Sequence, residues 1–183
     1  MNPIANHFKQ LVCLFPEGSL QLNSGATESQ LDELTAMLKT SLPSALRELL
    51  SQANGQKEEG ASLWGYFRFL PASVIANDYR LHLKYQRELE NSEALKLHDN
   101  RVSRTHDWNV AWLPFARVFT NSLFIDQSPA AGLHGQIVLW NGDDCFAKVI
   151  AADLEQFFVT TLALAKEQKF VEGLGYGFDY DSI

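Results

Sequence analysis

The sequence is poor in the features that announce chemistry. Only two cysteines occur in 183 residues, Cys13 and Cys145, far apart in the contexts LVCLF and DDCFA. They read as buried free thiols and not as a bridge, which favours a reducing compartment. No nucleophile–base pair, phosphate-cradling glycine loop or metal-ligand cluster stands at a recognisable spacing. No cofactor or metal is therefore expected. No run approaches the 18 or more apolar residues of a membrane span. The N-terminus MNPIANHFKQLVCLFPEG lacks the basic start and the apolar length of an export signal, and Lys9 interrupts it. A soluble, cytoplasmic protein is the expectation.

Excess positive charge is missing too. The formal net charge is −7, with 12 Lys/Arg against 13 Asp/Glu in residues 1–120 and 3 against 9 in residues 121–183. An acidic final third repels nucleic-acid phosphates and attracts basic partners. The same charge could serve solubility alone. Either way, nucleic-acid and membrane binding are disfavoured.

What is present is the composition of one soluble domain, 46% hydrophobic and 20% charged. A chain of this length buries roughly 70% of its unfolded surface and needs no staple. Residues 3–14 place Ile4, Phe8, Leu11 and Val12 on one side of a short helix. With the polar connector 19–26 they form an N-terminal appendage over residues 1–26. Thr27 and Gln30 make a capping box, followed by Leu31, Leu34, Met37 and Leu38 at helical spacing. Pro43 suits the first turn of a second helix, which Asn54-Gly55 stops. Residues 63–70 (LWGYFRFL) read as a strand in which Gly65 marks a bulge or a close approach. Residues 74–98 suit a helix with a break at Asn91-Ser92. The central stretch 108–140 reads as three apolar strands, 110–115, 118–125 and 136–140, with turns at Pro114 and at 128–135. Asn141-Gly142-Asp143-Asp144 is a hairpin turn leading to a strand at 145–150. Asp153 caps a last helix that ends near Lys169. Residues 170–183 form an acidic, aromatic tail. This order lacks regular β-α-β alternation. It predicts an α+β domain over residues 27–169, with a mostly antiparallel, twisted sheet of five or six strands flanked by helices.

Four segments in order then carry a resemblance: LPSALRELLSQANG (42–55), LWGYFRFLP (63–71), WLPFA…LFID (112–126) and GQIVLWNGDD…KVIAADLEQFF (135–158). Together they resemble the SUKH superfamily, the domain of the fungal cell-wall-assembly regulator and its bacterial relatives. The resemblance spans residues 27–165. It implies a single α+β domain that binds other proteins and is not an enzyme. Many bacterial members are immunity proteins that neutralise a toxin, often a nuclease. The fungal member acts in signalling and cell-wall synthesis. The long, charged segment 77–104 departs from the short form of the family. The resemblance implies structural roles for Pro43, Gly55, Trp64, Gly65, Phe115, Asp126, Gly135 and Trp140.

The candidate chemistry is thin beside this. Asp126 with Asp143 or Asp144 could form a carboxylate pair for a hydrolase, if burial separated their pKa values. Strand ends and turns are ordinary places for structural Asp, and Asp126 is expected to hold the turn before Ser128-Pro129. His7, His82, His98, His106 and His134 are scattered at no metal-binding spacing. Trp64, Trp108, Trp112 and Trp140 read as core, and any left exposed would anchor a partner. Arg80, Lys84 and Arg87 lie at helical spacing on a solvated face. The leading reading is an immunity protein that occludes a cognate toxin through Asp143, Asp144, Glu172, Asp179 and Asp181, with Arg80 and Arg87 as further contacts. A regulatory interaction module without a toxin is the second reading, and the hydrolase a remote third.

Overall fold

Side chains ahead of the helices fix where they begin. The structure, a computed structural model, describes residues 3–89, 99, 101–102, 110–128, 134–143, 146–168, 170–171 and 175–176, with the backbone alone at 85–89, 170–171 and 175–176. Helix α1 spans Pro3–Val12, α2 Glu28–Met37 and α3 Ser44–Gln52. Thr27 and Gln30 form the expected reciprocal capping box on α2. Pro43 stands one residue outside α3, at its N-cap, with φ −56° and no side-chain cap. Helix α3 ends in an extended residue, Ala53, so Asn54-Gly55 is not its left-handed stop. These two residues serve the next element instead. Asn54 Oδ1 accepts from the Ala72 N–H (2.8 Å) at the start of α4 (Ala72–Leu89). Gly55 has φ +72°, and a Cβ there would lie 2.3 Å from the Pro71 nitrogen. Helix α5 (Leu154–Glu167) starts at Asp153, which accepts from the Gln156 N–H (2.8 Å).

The sheet is antiparallel and runs in sequence order: β1 (Arg68–Phe69), β2 (Trp112–Val118), β3 (Asn121–Asp126), β4 (Ile137–Asn141) and β5 (Phe146–Ala151). A separate ribbon pairs β6 (Phe170–Val171) with β7 (Gly175–Tyr176). The α+β reading stands, with five strands in the main sheet. Two local expectations do not. Pro114 lies inside β2, at a register shift before Ala116 and beyond the two residues that β1 pairs. A proline needs such a place because it has no N–H for the ladder. The stretch 63–70 is mostly a tight turn. Trp64 and Phe67 exchange both backbone hydrogen bonds around Gly65, which has φ +62°, leaving only Arg68 and Phe69 for the sheet. A break at Asn91-Ser92 lies outside the described residues.

Alternation along the strands sends side chains to two faces. On one face Leu113, Phe115, Leu123, Ile125, Ile137 and Leu139 join the main core with the helices. Its centre is Trp64, whose ring meets Phe69, Phe115, Phe157 and Phe158 edge-on at 5.3–5.8 Å. On the other face Trp112, Phe124, Val138, Trp140, Ala147 and Val149 form a second cluster with Val102. The His82 ring of α4 lies against Phe124 there. Helix α1 packs on α5 and α3, and its Ile4, Phe8 and Leu11 belong to the main core. Cys13, just past α1, is a free exposed thiol and not a buried one, because the chain turns there and shows its outer side.

Beside β1, a polar side chain does what a strand would do. Gln56 is buried, and its Nε2 donates to the Leu20 (2.9 Å) and Ala61 (2.7 Å) carbonyls. Its Oε1 accepts from the Leu63 and Phe69 N–H groups, each at 3.1 Å. The Gln56 N–H donates to the Phe69 carbonyl (2.9 Å). The outward backbone groups of Phe67 and Phe69 are thus taken by Trp64 and Gln56, and this edge is closed to further strands.

Candidate functional site

The tips of two hairpins lie side by side at one end of the sheet. Val118 pairs with Asn121 to close the two-residue turn Phe119-Thr120. Thr120 Oγ1 donates to Asp143 Oδ1 (2.9 Å), and the Gly142 N–H donates to Asn121 Oδ1 (3.0 Å). The Asp143 N–H donates to Asn141 Oδ1 (3.0 Å), an Asx turn within the expected hairpin that Asn141 and Phe146 close. A Cβ on Gly142 would lie 2.6 Å from the Thr120 carbonyl oxygen, so glycine permits the clamp. Phe119 has φ +50° and is 94% exposed. Asp143 is thereby placed beside an exposed aromatic.

From Phe119 the surface dips into a groove of about 620 Å³ that runs to β1 and the loop before it. Its apolar lining includes Phe69, Leu70, Pro71, Val74 and Val118, with Tyr66, 47% exposed, as a second aromatic wall. Lys57, Glu58, Arg68 and Arg117 supply its charges. Arg117 Nη1 donates to Asp78 Oδ2 (2.7 Å). Burial raises the pKa of Asp78, and the Arg117 guanidinium opposes that rise.

Asp126 belongs to the opposite end. It is fully buried at the end of β3. Its Oδ1 accepts from the Ser128 N–H (2.8 Å) and its Oδ2 from Gln136 Nε2 (2.9 Å). Burial raises its pKa; hydrogen bonds from Ser128, Gln136 and Trp112 and the nearby His134 pull the other way. The expected turn-holding role is what these bonds perform. A pair of Asp126 with Asp143 fails on distance, because Thr120, which bonds Asp143, lies just before the start of β3, about 17 Å or more away at ~3.4 Å per residue. Asp144 lies outside the described residues, as do Glu172, Asp179 and Asp181.

The remaining positions sort by burial. Trp64, Phe115, Trp112 and Trp140 are core, as read, while Trp108 is outside the described residues. Gly135, with φ +94°, donates its N–H to the Asp126 carbonyl (2.7 Å). Arg80 lines a smaller cleft between α2 and α4 beside the exposed Met37, and its Nη2 donates to Asn77 Oδ1 (2.8 Å). The Arg87 side chain is outside the described residues. Asp99, which accepts from Arg101 and the Val149 N–H, ties its loop to β5 and is held down at about 2 mainly by Arg101. Among the described residues no group of three or more His, Cys, Asp or Glu is placed to hold a metal ion. No described helix is long and apolar enough to cross a membrane. Sequence reasoning missed Phe119, Tyr66, Arg68 and Lys57. The polar pair Thr120-Asn121 inside an apolar run was the available sign of a turn at Phe119.

The fold and these surfaces define an α+β domain with a closed sheet edge, a side-chain-lined groove and exposed aromatics beside it. The chain belongs to the SMI1 / KNR4 family (SUKH-1), whose sequence model matches residues 25–160. At the level of that family it is an immunity or interaction module. No curated protein matches it.

Proposed function

We propose that the protein is a cytoplasmic immunity module that binds a cognate toxin, a nuclease in the leading case, and covers its active cleft. Phe119 carries this reading. A left-handed backbone costs a non-glycine residue about 1–2 kcal/mol, and a side chain 94% exposed returns almost nothing to the core. An observed backbone outlier at an exposed position is a reason to look for function. Aromatic side chains are also enriched among the anchors that dominate protein interfaces.

In this reading Asp143, beside Phe119, acts with Asp144, Glu172, Asp179 and Asp181 to meet a basic cleft and imitate phosphate charge. Arg80 and Arg87 on α4 extend the contact. Such charge speeds encounter more than it sets affinity. Co-expression with the toxin encoded beside this gene tests the proposal, and undiminished toxicity overturns it. The association rate should fall as salt rises, and a salt-independent rate removes the electrostatic part.

A further inference from the structure

The groove beside Phe119 has a charge opposite to that of the chain as a whole. The formal net charge is −7, yet the groove is lined by Lys57, Arg68 and Arg117 against Glu58 alone. Arg68 and Arg117 are direct cross-strand partners, and like charges so placed repel. Asp78 holds Arg117. Among the described residues, neither Arg68 nor Lys57 has a carboxylate partner. These two cations line the groove together with its apolar floor and the exposed Tyr66 and Phe119. The volume of about 620 Å³ falls within the roughly 300–1,000 Å³ of ligand sites.

Backbone recognition is closed here. The outward hydrogen-bonding groups of Phe67 and Phe69 are already used by Trp64 and Gln56, so a partner cannot add a strand to β1. Recognition falls to side chains. We propose that the groove binds an acidic segment of a protein partner. A large apolar side chain of that segment seats between Tyr66 and Phe119, while its carboxylates meet Lys57 and Arg68. The proposal rests on the protein-binding reading above and names the chemistry of the partner.

The test is selection from a random dodecapeptide phage library on the immobilised full chain. Enriched peptides should be net negative and carry Leu, Phe or Trp. Their affinity, read by fluorescence anisotropy, should fall about tenfold or more in Lys57→Glu/Arg68→Glu and in Phe119→Asn, and stay within about twofold in Glu167→Gln on the exposed side of α5. Asparagine tolerates the left-handed backbone, and all these positions are surface ones, so an unchanged thermal midpoint verifies folding. Enrichment of neutral or basic peptides, no enrichment, or affinity unmoved by the groove variants overturns the proposal. If acidic peptides bind the groove but no toxin is neutralised, the toxin reading falls and the groove stands. If Lys57→Glu/Arg68→Glu neutralises a toxin as well as the native chain does, the groove falls and the toxin reading stands.

Discussion

Replacing Gln56 by alanine should destabilise the protein by about 2–4 kcal/mol. The side chain bonds four backbone groups, the carbonyls of Leu20 and Ala61 and the N–H groups of Leu63 and Phe69. All four residues are buried. Each bond made is worth ~1 kcal/mol net, and a buried group left without a partner costs ~1–3 kcal/mol. Four stranded groups would exceed 4 kcal/mol, but Gln56 lines the groove, and water entering the vacated space relieves part of the loss. For a chain of this size the thermal midpoint should drop by roughly 5–15 °C, at about 2–4 °C per kcal/mol. Gln56→Glu sharpens the test. It sets a carboxylate against two carbonyls, which raises its folded pKa above the unfolded value of about 4.3. Its stability is then greatest below the unfolded pKa and declines as pH rises through the folded one. The glutamate variant should therefore be weakest at neutral pH and recover in part toward pH 4. Urea titrations at both pH values measure this. A Gln56→Ala midpoint within about 0.5 kcal/mol of the native protein would show that the network is not holding the β1 edge.

Trp64→Ala should cost about 3–5 kcal/mol, since the ring is the meeting point of four edge-on aromatic contacts. A loss below about 1.5 kcal/mol in urea unfolding would move the centre of the core elsewhere. His82 is held neutral by burial, with the Arg117 charge acting in the same direction, to a pKa of about 3. Its depressed folded pKa contributes stability that is present above about pH 6.5 and lost as pH falls toward 3, with a slope of up to ~1.4 kcal/mol per pH unit. His82→Leu should flatten that part of the pH–stability profile, and an unchanged slope refutes the assignment. A chain cut to begin at residue 13, just past α1, loses Ile4, Phe8 and Leu11 from the core. At ~1.5–3 kcal/mol each this is roughly 5–9 kcal/mol, against a typical total of ~5–15. Calorimetry should find no cooperative transition, and a native-like midpoint would refute the packing role of α1.

Much of the fold is local chemistry and so was legible. Thr27 with Gln30, Asp153, and Asn141-Gly142 each act within a few residues of themselves, and each does in the structure what its type predicts. The parts that were not legible depend on distant partners. Nothing in the sequence marks Gln56, because the four groups it bonds lie up to 36 residues away. Asn54-Gly55 has the composition of a helix stop, but Ala72 and Pro71 are what it meets. Residues 63–70 have the composition of a strand, and one positive φ at Gly65 folds half of them into a turn. The site suffered most. Acidic composition drew attention to Asp143, while Phe119 looked like one more apolar strand residue. Exposure is a property of packing, and apolar residues in sequence do not declare it.

The clamp between the two hairpin tips bears on how such a molecule can diversify. Thr120, Asn121, Asn141, Gly142 and Asp143 hold the turn through polar atoms and close backbone contact, with no help from the ring of Phe119. In the reading proposed above, codon changes at that one tip would alter recognition while changing folding energy by no more than the ~1–2 kcal/mol at stake in its left-handed backbone. Recognition and foldability would then be inherited largely as separate traits, and a lineage could exchange partners without passing through an unstable intermediate.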